Sequence, residues 1–422
     1  MDFRRRRDGR RYRRLERAWD DSSTAIGTVP EHQRLRMPTA LELDGSNAGG
    51  QFVRTALTLS VLENQPIRIE GVRGDRSTPG LRHQHLAVLE TLAAICDADV
   101  SGAELGSDTV SFDPALEETP EATGWRGRGR GSLPGGEYDV DIGTAGSATL
   151  LFDALLPLAT VLESELSVTV TGGTDVPFAP PLDYSRYVKL PLLRRYGLEA
   201  DYEVERRGFV PDGGGRVTLT LAPSTLEPIE LTERGPLEGV RIYSTESESL
   251  ADRDVAHRQA EGALERLALE EAGIDLEERR EVSAASPSPG SAIVIRVDHE
   301  TGVAGFSALG ERGKPAERVG EDAADAANRF LGVGSATGSA DERGSQPQPS
   351  PVDRHMADQF LVFLALAGGR VRVPAVTDHV ASSRRLLETF GAAMALEAVA
   401  GDATIRDSFG DESDAANGEP VV

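Results

Sequence analysis

The chain has 422 residues, 39% of them hydrophobic, and a formal net charge of −24 at pH 7. No apolar run approaches the ~20 residues a membrane-spanning helix needs; the richest stretch is broken by Asp153 and Pro157, and no N-terminal segment has the apolar core of a signal peptide. A single cysteine, Cys96, excludes an internal disulfide framework and is expected of a cytoplasmic protein with no membrane partner.

Arginine carries almost all of the positive charge, because Lys189 and Lys314 are the only lysines. Together with abundant Asp, Glu, Ala and Gly, this balance is expected of a halophilic protein. An acidic protein repels nucleic acid at long range, but at molar salt the Debye length shrinks to ~3 Å. Local arginine clusters can then still hold phosphates, so net acidity does not exclude an RNA substrate.

Residues 1–36 open with the basic run "MDFRRRRDGRRYRRLERAWDD" and show no apolar periodicity. They read as a disordered extension or as a start assigned ahead of Met37, with a nucleic-acid-binding arm as the alternative. From residue 40 an internal repeat follows. The first copy predicts strand "TALELDG", a Gly-rich turn, helix "GQFVRTALTLSVLENQ", strand "PIRIEGV", loop "RGDRSTPGLRHQ", helix "HLAVLETLAAICDA" and two closing strands. The second runs from "EYDVDIG" through "TAGS" into helix "ATLLFDALLPLATVL", then strand "LSVTVTGG", loop "TDVPFAPPLD", helix "YSRYVKLPLLRRYG" and two strands. The third contains helix "MADQFLVFLALAG", strand "RVRVPAV", loop "TDHVAS", helix "SRRLLETFGAAM" and strands "ALEAVAG" and "ATIRDS".

The equivalent second strands begin near Ile67, Val168 and Val371, about 100 and then about 200 residues apart, so about 100 residues interrupt the third copy. The expected fold class is α+β: three βαβαββ repeats forming a large domain (37–234 and 345–408), with a smaller α/β domain inserted in the third repeat (235–344). The inserted domain ends in the flexible "VGSATGSADERGSQPQPSPVD", and an acidic tail occupies 409–422. The repeat also places His379 in the strand-to-helix loop equivalent to the one carrying Arg73, Arg76, Gln84 and His85.

Seven motifs in this order, "LDGSNAGGQFVRTAL", "RGDRSTPGLRHQHL", "IGTAGSATLLFDALLPL", "VTGGTDVPFAPPLDY", "GFVPDGGG", "HMADQFLVFLALAGG" and the histidine of "TDHVASS", resemble the RNA 3′-terminal phosphate cyclases over nearly all of residues 38–406. The resemblance implies an ATP-dependent ligase acting on RNA with a 3′-terminal phosphate. A histidine takes AMP from ATP, passes it to the RNA 3′-phosphate, and the neighbouring 2′-hydroxyl closes a 2′,3′-cyclic phosphate. Covalent activation suits this chemistry, since the phosphate monoester has no good leaving group until it is adenylylated.

By the same resemblance His379 is the nucleophile. His355, Met356, Ala357, Asp358 and Gln359 would hold the adenosine, with Asp153, Pro180 and Pro181 also at the ATP. Arg54, Arg73, Arg76, Gln84, His85, Gly49 and Gly50 would bind phosphates or the RNA end, where a guanidinium fork suits bidentate contacts. A divalent metal, Mg or Mn, is also implied. The chain departs from the family pattern in three places. "GSNAGGQ" lacks the metal-holding glutamate, Asp153 replaces a glutamine, and Ser382-Ser383 replaces Thr-Asn, a change that would still let serine cap the helix. A non-catalytic cyclase-like protein of RNA binding or ribosome assembly is the alternative. Enolpyruvyl transferases, which share related repeats, are disfavoured by the scarcity of lysine and by "HMADQ".

Overall fold

In the computed structural model, which describes residues 39–116, 118–125, 129–333, 350–399 and 402–407, apolar residues at every second position build the first sheet. Its strands are β1 (Leu41–Asp44), β2 (Ile67–Glu70), β3 (Asp99–Ser101) and β4 (Val110–Asp113), in the spatial order β1-β2-β4-β3. β1 and β2 are parallel, with Leu41 opposite Ile67, and β4 runs antiparallel to both β2 and β3. A parallel pair needs a crossover, and helix α1 (Gly50–Leu62) supplies it; α2 (His83–Cys96) joins β2 to β3.

A two-stranded ribbon, β5 (Glu118–Thr123) with β6 (Gly129–Gly131), is absent from the sequence-based expectation and precedes the second sheet. That sheet contains β7 (Gly136–Asp141), β8 (Leu166–Gly172), β9 (Ala200–Arg206) and β10 (Gly215–Leu221), ordered β7-β8-β10-β9. β8 and β10 alternate buried and half-buried residues without a break. Helix α3 (Ala148–Leu155) gives way at Pro157 to a 3₁₀ turn, Leu156–Val161, because proline cannot supply the next helical hydrogen bond. The second crossover helix, α4, runs as Leu182–Tyr184, a π-helical stretch Ser185–Lys189, and Leu190–Arg194.

Strand β11 (Ile229–Leu231) is followed by β12 (Leu237–Ser247), α5 (Val255–Arg266), β13 (Leu276–Ala284), β14 (Ser291–His299), β15 (Gly302–Leu309) and α6 (Ala316–Leu331). These four later strands form their own sheet, β13-β12-β14-β15. Its core is separate, with Val240, Ile242, Ile293 and Ile295 packed under small residues of the helices such as Ala260, Ala263, Ala323 and Ala327. The two helices cross closely: a Cβ on Gly320 would lie 1.9 Å from the Gln259 carbonyl oxygen. The chain then continues through α7 (Arg354–Gln359), α8 (Leu361–Ala367), β16 (Gly369–Val373), α9 (Asp378–Phe390), β17 (Met394–Val399) and β18 (Asp402–Asp407). β11 pairs in parallel with β16 across the intervening sheet, and the order is β11-β16-β18-β17. Three sheets thus share one order: first, second, fourth, third. Their apolar faces and covering helices merge into one large core.

The expected extension at 1–36, most of the Gly/Ser/Pro linker and the acidic tail at 409–422 lie outside the described residues. No helix among the described residues is long and apolar enough to cross a membrane.

The fourth sheet is tied to the main body by buried polar contacts. Arg207 bonds Asp175 and Asp183, Thr245 donates to Asp183 at 2.9 Å, and the rings of Tyr187 and Tyr243 stack at 4.0 Å. His299, fully buried, sits between the carbonyl oxygens of Arg234 at 2.7 Å and Pro351 at 2.9 Å. Burial lowers its pKa to about 4 from 6.5, although the two carbonyls act the other way. Between those values the unfolded chain takes up a proton that the folded chain refuses. Stability therefore falls as pH drops through the window, at most about 1.4 kcal/mol per pH unit from this one ring. The denaturation midpoint of His299→Gln is expected to change less between pH 6.5 and 4.5 than that of the wild type; parallel profiles would show that His299 does not contribute.

Candidate active site

Five helices, α1, α3, α4, α7 and α9, bring the polar residues of the three like-ordered units together. In α1 the buried side is Val53, Ala56, Leu57 and Ser60, so Gln51 and Arg54, three residues apart, share the other side. Helix α9 is capped by Thr377, whose hydroxyl accepts from the Val380 N–H at 3.2 Å. It starts at Asp378, so His379 stands in the first helical turn and not in the loop expected from the sequence. Neither serine is the cap: the Ser382 hydroxyl donates to the His379 carbonyl at 3.1 Å, and Ser383 accepts from Gln51 at 3.3 Å.

The central contact is His379 Nδ1 with Gln51 Oε1 at 2.6 Å. Gln51 Nε2 in turn donates to Asp358 Oδ2 at 2.7 Å. An amide nitrogen donates and an amide oxygen only accepts. The bond to the carboxylate therefore turns the Gln51 oxygen toward the imidazole, and Nδ1 must carry the hydrogen. The lone pair is left on Nε2. Burial raises the pKa of Asp358, with the Gln51 bond opposing the rise.

A second cluster lies beside the first. Lys189 is buried and donates to Asp153 Oδ1 at 2.6 Å and to Gln359 Oε1 at 2.9 Å. The negative charge that the sequence places at Asp153 is thereby neutralised from within. Arg54 lies near Asp153 and Asp358, yet its side chain forms no hydrogen bond or ion pair among the described residues. Burial lowers its pKa to about 10, so at neutral pH it remains a cation without a partner.

The other expected residues are divided. His355 is exposed, edge-on to Tyr184 with ring centroids 6.3 Å apart, and Tyr184 donates to Asp353, the cap of α7. Met356 and Ala357 point into the core, so of "HMADQ" only His355, Asp358 and Gln359 present side chains outside it. Pro180 is half-buried, with its carbonyl accepting from Thr149, and Pro181 is buried at the start of α4. Arg73 has a positive φ of 54° and donates through Nη1 to the carbonyls of Thr78 and Gly80 in its own loop. That contact braces the loop, whereas the exposed Arg76 lies over Gly49: a Cβ there would be 3.2 Å from its Nη2.

His85 is buried, and its Nδ1 accepts from the Arg82 N–H at 3.2 Å. Burial, with Arg54, Arg73 and Arg82 nearby, lowers its pKa to about 3. Its Nε2 rests on Gly50, where a Cβ would lie 2.1 Å away. Gly50 thus makes room for a ring, not only for a turn. Gln84 keeps a buried Nε2 with no partner, a donor that a ligand acceptor would satisfy. Gln51, Lys189 and Ser383 are members of the site that sequence reasoning missed. Lys189 carried one signal, being one of two lysines in an arginine-using chain. Among the described residues no group of three or more His, Cys, Asp or Glu side chains could hold a metal ion.

A family profile described as RNA 3′-terminal phosphate cyclase matches residues 46–395. An RNA 3′-terminal phosphate cyclase of Halobacterium salinarum is 46% identical over 350 residues, covering 82% of this chain and 94% of the relative. The corresponding proteins of Methanopyrus kandleri and Pyrococcus furiosus are 39% and 38% identical over 83% and 82% of this chain and 93% and 92% of their own. A solved EPSP synthase from Acinetobacter baumannii aligns with 54% of this chain and 55% of its own, at 13% identity and a TM-score of 0.20, too distant to bear on fold or function.

Proposed function

The chain belongs to the RNA 3′-terminal phosphate cyclase family, an enzyme family of the ligase class that acts on RNA ends, and on that premise we propose that His379 is its AMP-accepting nucleophile. The halophilic composition agrees with the Halobacterium relative. The three like-ordered sheets support three βαβαββ repeats making up 37–234 and 345–408, and the fourth sheet, with its own core, supports an inserted domain within 235–344. The single buried cysteine supports a reducing, cytoplasmic setting.

The observation that carries the proposal is the chain His379–Gln51–Asp358. His379 Nε2, bearing the lone pair, attacks the α-phosphorus of ATP; an N–P bond forms, the bond to the bridging oxygen breaks and pyrophosphate leaves. The helix start beside His379, where the N–H groups of Asp378 and His379 precede those bonded to Thr377, favours the negative phosphate, and Arg54 offers the cation that no carboxylate has claimed. The RNA 3′-phosphate oxygen then displaces His379 from the AMP phosphorus. Last, the 2′-hydroxyl oxygen attacks the activated 3′-phosphorus, its proton goes to solvent, and AMP leaves. A divalent metal enters this reading only as an ion accompanying the triphosphate, where Mg²⁺ usually needs one or two protein carboxylates. Asp358 is the carboxylate that could meet it, since Asp153 is held by Lys189. The alternative, a non-catalytic cyclase-like protein, rests on the missing glutamate and on Asp153.

The test is a 3′-phosphorylated oligoribonucleotide incubated with the full chain and ATP. Its end is expected to become phosphatase-resistant; an end that stays phosphatase-sensitive in the presence of folded protein would favour the non-catalytic reading. Gln51→Ala removes the acceptor that fixes the imidazole. The rate of AMP transfer to the protein is expected to fall roughly a hundredfold, the cost of a misplaced reacting group. An unchanged rate would remove Gln51 from the mechanism.

A further inference from the structure

Phe112, Phe152, Phe209, Phe360, Phe363 and Phe390 are all buried, whereas Phe178 is 103% exposed. Its backbone is also in the left-handed region, with φ of 66°. A bulky residue seldom adopts that conformation unless its surroundings hold it there, and such outliers gather where a ligand is handled. Two unfavourable features therefore coincide at one side chain that no described residue covers.

The surroundings do hold it. On one side of the loop, Asp175 is fixed by Thr174 and Arg207 and accepts from the Leu182 N–H at 3.2 Å. On the other, the Pro180 carbonyl accepts from Thr149 at 2.9 Å. Thr149 lies one helical turn before Asp153, and the loop runs straight into α4, which carries Tyr184 against His355 and Lys189 against Asp153 and Gln359. The loop is thus a fastened strap leading into the candidate active site, with an aromatic face presented to solvent.

We propose that Phe178 is a nucleobase-stacking residue, and this rests on the reading of the chain as an enzyme of RNA ends. Physics favours a base over other occupants. Phosphate contacts weaken steeply with salt because they work by counterion release, and a chain of net charge −24 has little long-range attraction for RNA. Stacking on an aromatic ring does not depend on that charge, and it accepts any base, as an enzyme acting on ends of varied sequence requires. The base can come from the 3′-terminal region of the RNA or from ATP, and the two sources give different results.

Phe178→Ala is expected to raise the KM for a 3′-phosphorylated oligoribonucleotide about tenfold, the effect of losing one stacked base, with the shift persisting at high salt. Phe178→Trp should restore the wild-type value. AMP transfer from ATP to the protein measures the other source: a raised KM for ATP with an unchanged KM for RNA would assign the stacked base to the adenine. Quenching of a 2-aminopurine placed near the RNA 3′ end, present with Phe or Trp and lost with Ala, reads stacking without turnover. It therefore separates failure of this inference from failure of the catalytic reading. Unchanged KM values for both substrates, with equal quenching in the Ala variant, would overturn the proposal.

Discussion

His379→Ala is expected to take up no label from ATP radioactive in the α-phosphate, where the wild-type chain gives an acid-labile adduct. The expectation rests on one atom. Among the described residues, only His379 has an exposed imidazole whose Nδ1 is held by a side-chain amide oxygen, at 2.6 Å, so that Nε2 is presented with its lone pair. Alanine removes that atom, and the other side chains joined to Gln51, the Asp358 carboxylate and the Ser383 hydroxyl, offer no imidazole nitrogen in its place. The fold should tolerate the change, because His379 is exposed and its side chain makes that one hydrogen bond among the described residues. Cyclisation should fall with the adduct, by about four orders of magnitude or more, as covalent routes do when the nucleophile is lost.

His355→Ala provides the contrast. Its ring lies against Tyr184, and among the described residues it forms no hydrogen bond with Gln51, Asp358 or His379. Losing it should raise the KM for ATP and leave a labelled adduct that forms more slowly. An adduct that survives in His379→Ala and disappears in His355→Ala would exchange the two roles.

Much of the architecture was legible because it repeats. The spacing of Ile67, Val168 and Val371 pointed to three equivalent strands, and the strands that hold these residues take the second place in three sheets of one order. The site was legible only where a single segment carries the chemistry. Gln51 reaches Asp358 across 307 positions and His379 across 328. Periodicity within a helix reports which side is buried, not which distant helix the polar side meets. Arg73 shows the opposite difficulty. A guanidinium in the loop "RGDRSTPG" reads as a phosphate ligand, and nothing in the sequence signals that its Nη1 bonds the carbonyls of Thr78 and Gly80 in its own loop. The start of α9 escaped for a smaller reason. "TDHV" contains two possible caps, Thr377 and Asp378, and choosing the first moves His379 from loop to helix.

Lys189→Met is expected to be the most destabilising single change at the site. The pair with Asp153 is nearly closed to solvent, with side chains 2% and 14% exposed and 2.6 Å between Nζ and Oδ1. Methionine keeps much of the bulk and removes the charge. Asp153 is then left as a buried carboxylate without its partner, and Gln359 loses the donor to its Oε1. Breaking a buried pair from one side costs about 3–5 kcal/mol, whereas replacing both members costs far less. Lys189→Met with Asp153→Leu should therefore recover most of the stability lost in the single variant, and urea unfolding of the four proteins of that cycle measures the coupling directly. Arg54 sets the direction of any shortfall. Its cation interacts with the Asp153 charge and has no ion-pair partner among the described residues, and if it turns to that carboxylate the single variant will lose less stability but will bind ATP more weakly, because the cation proposed for the phosphate is then occupied. Equal unfolding midpoints and equal ATP affinity for the wild type and Lys189→Met would show that the Lys189–Asp153 pair supports neither the fold nor the site.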